Sequence, residues 1–137
     1  MDGKLKLTVL SPERRLLDQV DVDSITLTGS EGQIQILPGH APLIGTLETG
    51  IFSYKVPAEG EGVGVISSGF FEIKNDKINL MAETLELKGE IDVSRARLAQ
   101  QKAEAMLKEA ALDESQFKKY QLKLQRALIR QHVGGKE

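Results

Sequence analysis

The hydrophobic period of the chain changes once, after Gly89. Before that point apolar residues alternate with polar ones. Leu5, Leu7 and Val9 share one face, with Lys6 and Thr8 on the other; Val20 and Val22, then Ile25 and Leu27, repeat the pattern. A period of two belongs to half-buried strands. After Gly89, Ala96, Ala99, Ala103, Met106 and Ala110 recur at steps of three and four, which is one stripe of a helix. A chain with both periods in separate blocks is expected to fold as a strand-built unit followed by a helical one.

Turn signals divide the first block. The stretches SPE at 11–13 and GSEG at 29–32 interrupt it, and LPGHAPL at 37–43 has two prolines that forbid a regular ladder. Phe52, Tyr54 and Val56 read as a further strand. Gly60, Gly62 and Gly64 read as a flexible hairpin loop, followed by apolar runs at 63–66 and 71–73. In IKNDKI, residues 73–78, Asn75 and Asp76 can both take positive φ, which is the two-residue hairpin signal. Short strands with turns every few residues point to an antiparallel sandwich or barrel over residues 1–87.

In the second block, 88–137, LDESQ at 112–116 separates two helices. Asp113 followed by Gln116 has the spacing of a capping box. Phe117, Tyr120, Leu124 and Ala127 mark the inner face of the second helix, and Gly134 with Gly135 ends it. A short connection gives an antiparallel hairpin. Its stripe is mostly alanine, which lets helices approach closely but buries few apolar atoms at about 25 cal/mol per Å². Such a hairpin is expected to lean on the sandwich, a partner or a ligand, and to behave as a detachable module.

Charge divides at nearly the same place. Residues 1–90 hold 8 Lys and Arg against 14 Asp and Glu, whereas residues 91–137 hold 10 against 6. A basic helical module suits an acidic partner or a phosphate. The 137 residues include no cysteine, so thiol chemistry is excluded and a reducing compartment is compatible. No apolar run reaches membrane-spanning length, and no signal-peptide pattern opens the chain. His40 and His132 lack metal-site spacing, and neither GxSxG nor a P-loop motif is present. Glu83, Glu86 and Glu90 read as a solvated connector. The chain is therefore not expected to be an enzyme on its own.

The stretch EIDVSRARLAQ, residues 90–100, opens the first helix. Asp92 suits an N-cap. Arg95 adds a guanidinium fork suited to phosphate, and Asp92 could also accept from a ribose or an amine. Arg126 and Arg130 lie four apart on the second helix and share a face. In an antiparallel hairpin, Arg95, Arg126 and Arg130 can converge on an anion.

These residues, in this order, resemble the epsilon subunits of F-type ATP synthases, of the bacterial type. The resemblance spans essentially the whole chain. TLTGSEGQIQILPGHAPLIGTLETG, residues 26–50, is its most specific stretch, and ISSGFFEIKNDKINLMAET, residues 66–84, resembles later strands of the family. It implies an α+β chain: an N-terminal antiparallel β-sandwich of about ten strands, then a C-terminal two-helix hairpin. It also implies a non-catalytic rotor subunit at the foot of the central stalk, bound to gamma and the c-ring. The implied membrane association is through the complex, on the cytoplasmic face of the bacterial plasma membrane. Implied c-ring or stalk contacts are Ser30, Glu31, Gly32 and Gln33, then Pro38, Gly39, His40, Ala41 and Pro42. Gln33 stands where some relatives carry glutamate.

The resemblance further implies that the hairpin is mobile. Extended, it would reach the alpha and beta subunits and inhibit ATP hydrolysis. Folded, it would bind ATP in some bacterial members through an I/L-D-x-x-R-A motif, which Ile91, Asp92, Arg95 and Ala96 match. Glu86, Arg126 and Arg130 match further contacts, and Lys102 stands where tight binders have arginine. No cofactor is required on this reading; ATP would be a regulator, with magnesium left open. A free-standing nucleotide sensor and a ligand-free adaptor are the two other classes that the residues allow.

Overall fold

The computed structural model describes residues 5–29, 31–109 and 111–135. The chain divides into two compact units, Met1–Leu87 and Lys88–Glu137.

The first unit is built from ten strands: β1 (Leu5–Leu10), β2 (Arg15–Val22), β3 (Ser24–Gly29), β4 (Gly32–Ile36), β5 (Leu43–Leu47), β6 (Gly50–Val56), β7 (Gly60–Ile66), β8 (Gly69–Lys74), β9 (Lys77–Ala82) and β10 (Leu85–Leu87). Their order is β10-β7-β6-β3-β5-β8-β9-β1-β2, with β4 also on β3. β3 and β5 share a single residue pair, Gly29 with Leu47. The alternation in β1 places Leu5, Leu7 and Val9 wholly inside. Val22, Ile25, Leu27, Phe52, Phe71, Ile78 and Leu80 join them in one aliphatic and aromatic core.

The expected antiparallel pattern holds with one difference. β1 and β9 pair in parallel, Lys6 beside Lys77 through Leu10 beside Met81. The pairing joins the two ends of the unit's sequence, so no local turn announces it. The NDK hairpin forms as expected: Asn75 and Asp76 have φ of 52° and 60°, and Lys74 faces Lys77. Two positive-φ residues match the right-handed twist of the flanking strands.

The glycine run is not the loop that the sequence suggested. The turn between β6 and β7 is 57–59, and Gly62 and Gly64 lie on β7 opposite Tyr54 and Phe52. A Cβ at Gly62 would fall 2.2 Å from the Tyr54 ring, and one at Gly64 would fall 2.5 Å from the Phe52 ring. The glycines make room for two stacked rings whose centroids are 6.1 Å apart. Burial also pushes the Tyr54 phenol above its ordinary pKa.

The second unit opens with a single 3-10 turn, Lys88–Glu90, followed by α1 (Val93–Leu107) and α2 (Glu114–Gly134). Asp92 is the N-cap of α1; its Oδ1 accepts from the Arg95 backbone N–H at 3.1 Å. Asp113 and Gln116 close the capping box, with bonds of 2.8 and 3.2 Å. The helices run antiparallel. A Cβ on Gly134, at the end of α2, would come within 2.8 Å of Ile91 before the start of α1. Gln131 Nε2 donates to Gln100 Oε1 across the pair at 2.6 Å. Ala96, Ala103 and Ala127 are buried between the helices. Phe117 was expected inside but is 44% exposed; at the first turn of α2 it is left facing solvent. Ala110 lies outside the described residues.

Candidate functional site

Two regions carry the residues that the sequence singled out. The first is at the sandwich surface. Of the expected contact residues, Ser30 lies outside the described residues, while Glu31, Gly32 and Gln33 are exposed around the β3–β4 turn. The loop at 37–42 is stiffened by its own bonds. The His40 N–H donates to the Leu37 carbonyl at 3.2 Å, and Gly39 has φ of 85°. Pro38 and Gly39 thus form the centre of a turn in which the third residue needs positive φ. The Gly39 N–H donates to Asp76 Oδ1 at 2.8 Å, so the NDK hairpin braces this loop. The His40 ring nitrogen Nδ1 donates to the Ala41 carbonyl at 2.7 Å. Among the described residues no cluster of His, Cys, Asp or Glu could hold a metal.

Pro38, Gly39, Ala41 and Pro42 are exposed and His40 is half-buried. Beside them the surface is apolar: Leu37 is 51% exposed, Leu43 40% and Ile44 71%. Glu31 from the first loop shares a surface hollow of about 360 Å³ with Leu43, Ile44 and Thr46. The two predicted loops therefore border one patch. Sequence reasoning missed Leu43 and Ile44 as part of it; two adjacent apolar residues directly after Pro42 were the available signal.

The second region is the hairpin. Arg126 and Arg130 line one cavity of about 150 Å³ with Lys102 of α1, on a floor of Ala99, Ala103 and Ala127. Steps of three and four place these positions on facing stripes. The alanines hold the backbones close, so long cationic side chains rise on both sides of a shallow groove. Tyr120 and Lys123 line the same cavity and were missed from the sequence. The row 120-123-127-130 on α2 was the signal that could have found them.

The rest of the expected set is not in this cavity. Ile91, Asp92, Arg95 and Ala96 cluster at the start of α1. Ala96 is fully buried in the helix pair, and the Asp92 carboxylate is occupied as a cap. Arg95 is exposed and does not line the cavity. Seven residues separate Arg95 from Lys102, about 10 Å along the helix axis on nearly the same face. Glu86 belongs to β10 of the sandwich unit. The hairpin thus offers a cationic cavity and, one to two turns away, a capped helix start with a further arginine.

The comparisons with known proteins cover both units. Residues 4–88 match the β-sandwich domain of the ATP synthase delta/epsilon chain, and residues 90–134 match the long alpha-helix domain of that chain. The ATP synthase epsilon chain of Trichlorobacter lovleyi is 42% identical over 137 residues, covering 99% of this chain and 97% of the relative. That of Geotalea daltonii is 41% identical over 141 residues, with the same coverage. Among solved structures, a chain of the Euglena gracilis mitochondrial ATP synthase, determined as its OSCP/F1/c-ring assembly, superposes with a TM-score of 0.82 at 22% identity. It covers 97% of this chain and 82% of its own. At that identity the likeness concerns the fold.

Proposed function

Because the chain belongs to the ATP synthase epsilon family, we propose that its helical hairpin is an ATP-sensitive regulator of a rotor subunit. The chain is a subunit of ATP synthase, a membrane-associated complex, and is not catalytic alone. No helix among the described residues is long and apolar enough to cross a membrane. On this reading the sandwich meets gamma and the c-ring through the braced loop at 37–42, the β3–β4 turn and the apolar patch beside them. Alpha and beta are the partners of the extended hairpin. The complex would lie on the bacterial plasma membrane, with this subunit on the cytoplasmic face.

The observation that carries the regulatory reading is the meeting of Lys102, Arg126 and Arg130 at one cavity of the closed hairpin. Lys102 and Arg126 come from different helices, so an anion held by both bridges the pair. Separating the helices takes that cavity apart. A ligand bound only by the closed hairpin stabilises it by RT ln(1 + [L]/Kd), about 2.7 kcal/mol at a hundredfold excess over Kd. With ATP plentiful the hairpin stays closed and hydrolysis runs. With ATP scarce it extends and blocks hydrolysis.

Isothermal titration of ATP into the full chain tests this. Saturable heat at or below millimolar ATP, lost in Arg126→Ala, is the expected result. No saturable heat, or unchanged binding in Arg126→Ala, would overturn it. Co-purification with gamma, alpha and beta subunits tests the assembly.

A further inference from the structure

The hairpin cavity contains a cation that neither the binding motif nor the arginine pair includes. Lys123 lines it from α2, opposite Lys102 on α1. The Lys123 ammonium lies 5.6 Å from the centre of the Tyr120 ring, and Tyr120 itself lines the cavity. Lys119 lies at the same distance from that ring but is not part of the lining. One of the two lysines on this tyrosine therefore faces the cavity. Among the described residues that line it, Lys102, Lys123, Arg126 and Arg130 are cationic and none is acidic.

The size of the cavity limits what enters. Pockets that enclose a drug-sized ligand run from about 300 to 1,000 Å³. At about 150 Å³ this cavity holds only part of a nucleotide. Its walls are cationic and its floor is alanine, so the part it fits is the phosphate chain. Base and ribose are left outside it.

We propose that Lys123 is a further binding residue for a phosphate chain in this cavity and that Tyr120 positions it. The inference rests on the nucleotide-binding reading above and extends it. Lys102 offers a point charge without the fork of an arginine. Lys123, from the facing helix, supplies a second point charge against the same chain. The Tyr120 ring limits where its ammonium can swing. Recognition here is of the anion, so a nucleoside triphosphate and inorganic tripolyphosphate share the chemistry. Affinity should rise with the number of phosphates and fall steeply with salt, because these charges are solvent-accessible.

Titration of the full chain with ATP, AMP and inorganic tripolyphosphate at fixed ionic strength distinguishes the sources. Tripolyphosphate is expected to compete with ATP, and AMP to bind far more weakly. Lys123→Gln should weaken both ATP and tripolyphosphate by about tenfold, as expected for one lost charged contact. Lys119→Gln should stay within about twofold, and Lys123→Arg should retain binding. Tyr120→Phe keeps the ring and should bind like the parent, whereas Tyr120→Leu should weaken both ligands. Circular dichroism of each variant confirms that the helices persist.

ATP binding unchanged in Lys123→Gln but lost in Arg126→Ala would overturn the role of Lys123 and leave the ATP reading intact. ATP binding without competition from tripolyphosphate would overturn the base-independent subsite. Tripolyphosphate binding without ATP binding would support the subsite and overturn the ATP reading. Binding of neither would overturn both.

Discussion

The sandwich closes over Phe52, Phe71, Leu80 and the other large side chains of its core, whereas the helical unit buries Ala96, Ala103, Ala127 and Val133. A large apolar side chain contributes about 1.5–3 kcal/mol on full burial, and an alanine methyl well under half of that. The sandwich is held by what its side chains fill. The hairpin is held by how closely its backbones approach and by caps at its helix starts. A unit with so little core can be shifted by one bound anion, while a unit packed like the sandwich suits a fixed anchor. The charge divides the same way: the sandwich sequence is acidic and the hairpin basic.

The contrast can be broken from either side. Removing volume should harm the sandwich most. Phe71→Ala, at a ring 2% exposed and packed against Gly45, should cost about 3–5 kcal/mol in chemical denaturation. Adding volume should harm the hairpin. Ala103→Leu has no room between the helices and should cost about 1–3 kcal/mol in the helical transition, while also abolishing anion binding. Losing a cap comes next: Asp113→Ala should cost about 1 kcal/mol and speed amide exchange in the first turn of α2. The smallest effect belongs to Tyr54. Its pKa is raised in the folded state, so the neutral phenol is favoured there. That contribution is fully present below the unfolded pKa of about 10 and is lost as pH rises through the folded value. Melting across that alkaline range should fall more steeply for the parent than for Tyr54→Phe.

Local chemistry was legible wherever a few neighbouring residues decide the outcome. Asn75-Asp76, the Asp113–Gln116 box and the Asp92 cap each act within four residues, and each formed as read. Long-range causes were not legible. Gly62 and Gly64 looked like a loop because their reason is across the strand, in Tyr54 and Phe52. The parallel β1–β9 pair has no turn to announce it. In the hairpin, Lys102, Arg126 and Arg130 line one cavity, whereas Arg95 was expected to converge with the arginines of α2. Arg95 instead stands about two turns from Lys102, outside the cavity. Lys123 belongs to no local motif; only the face that α2 presents to α1 marks it.

Hydrogen exchange of the full chain with and without millimolar ATP tests the central claim most directly. Exchange should slow across Val93–Leu107 and Glu114–Gly134, stay unchanged in the sandwich strands, and show no protection in Arg126→Ala. Exchange in the two helices that ignores ATP, or protection that survives Arg126→Ala, would contradict it.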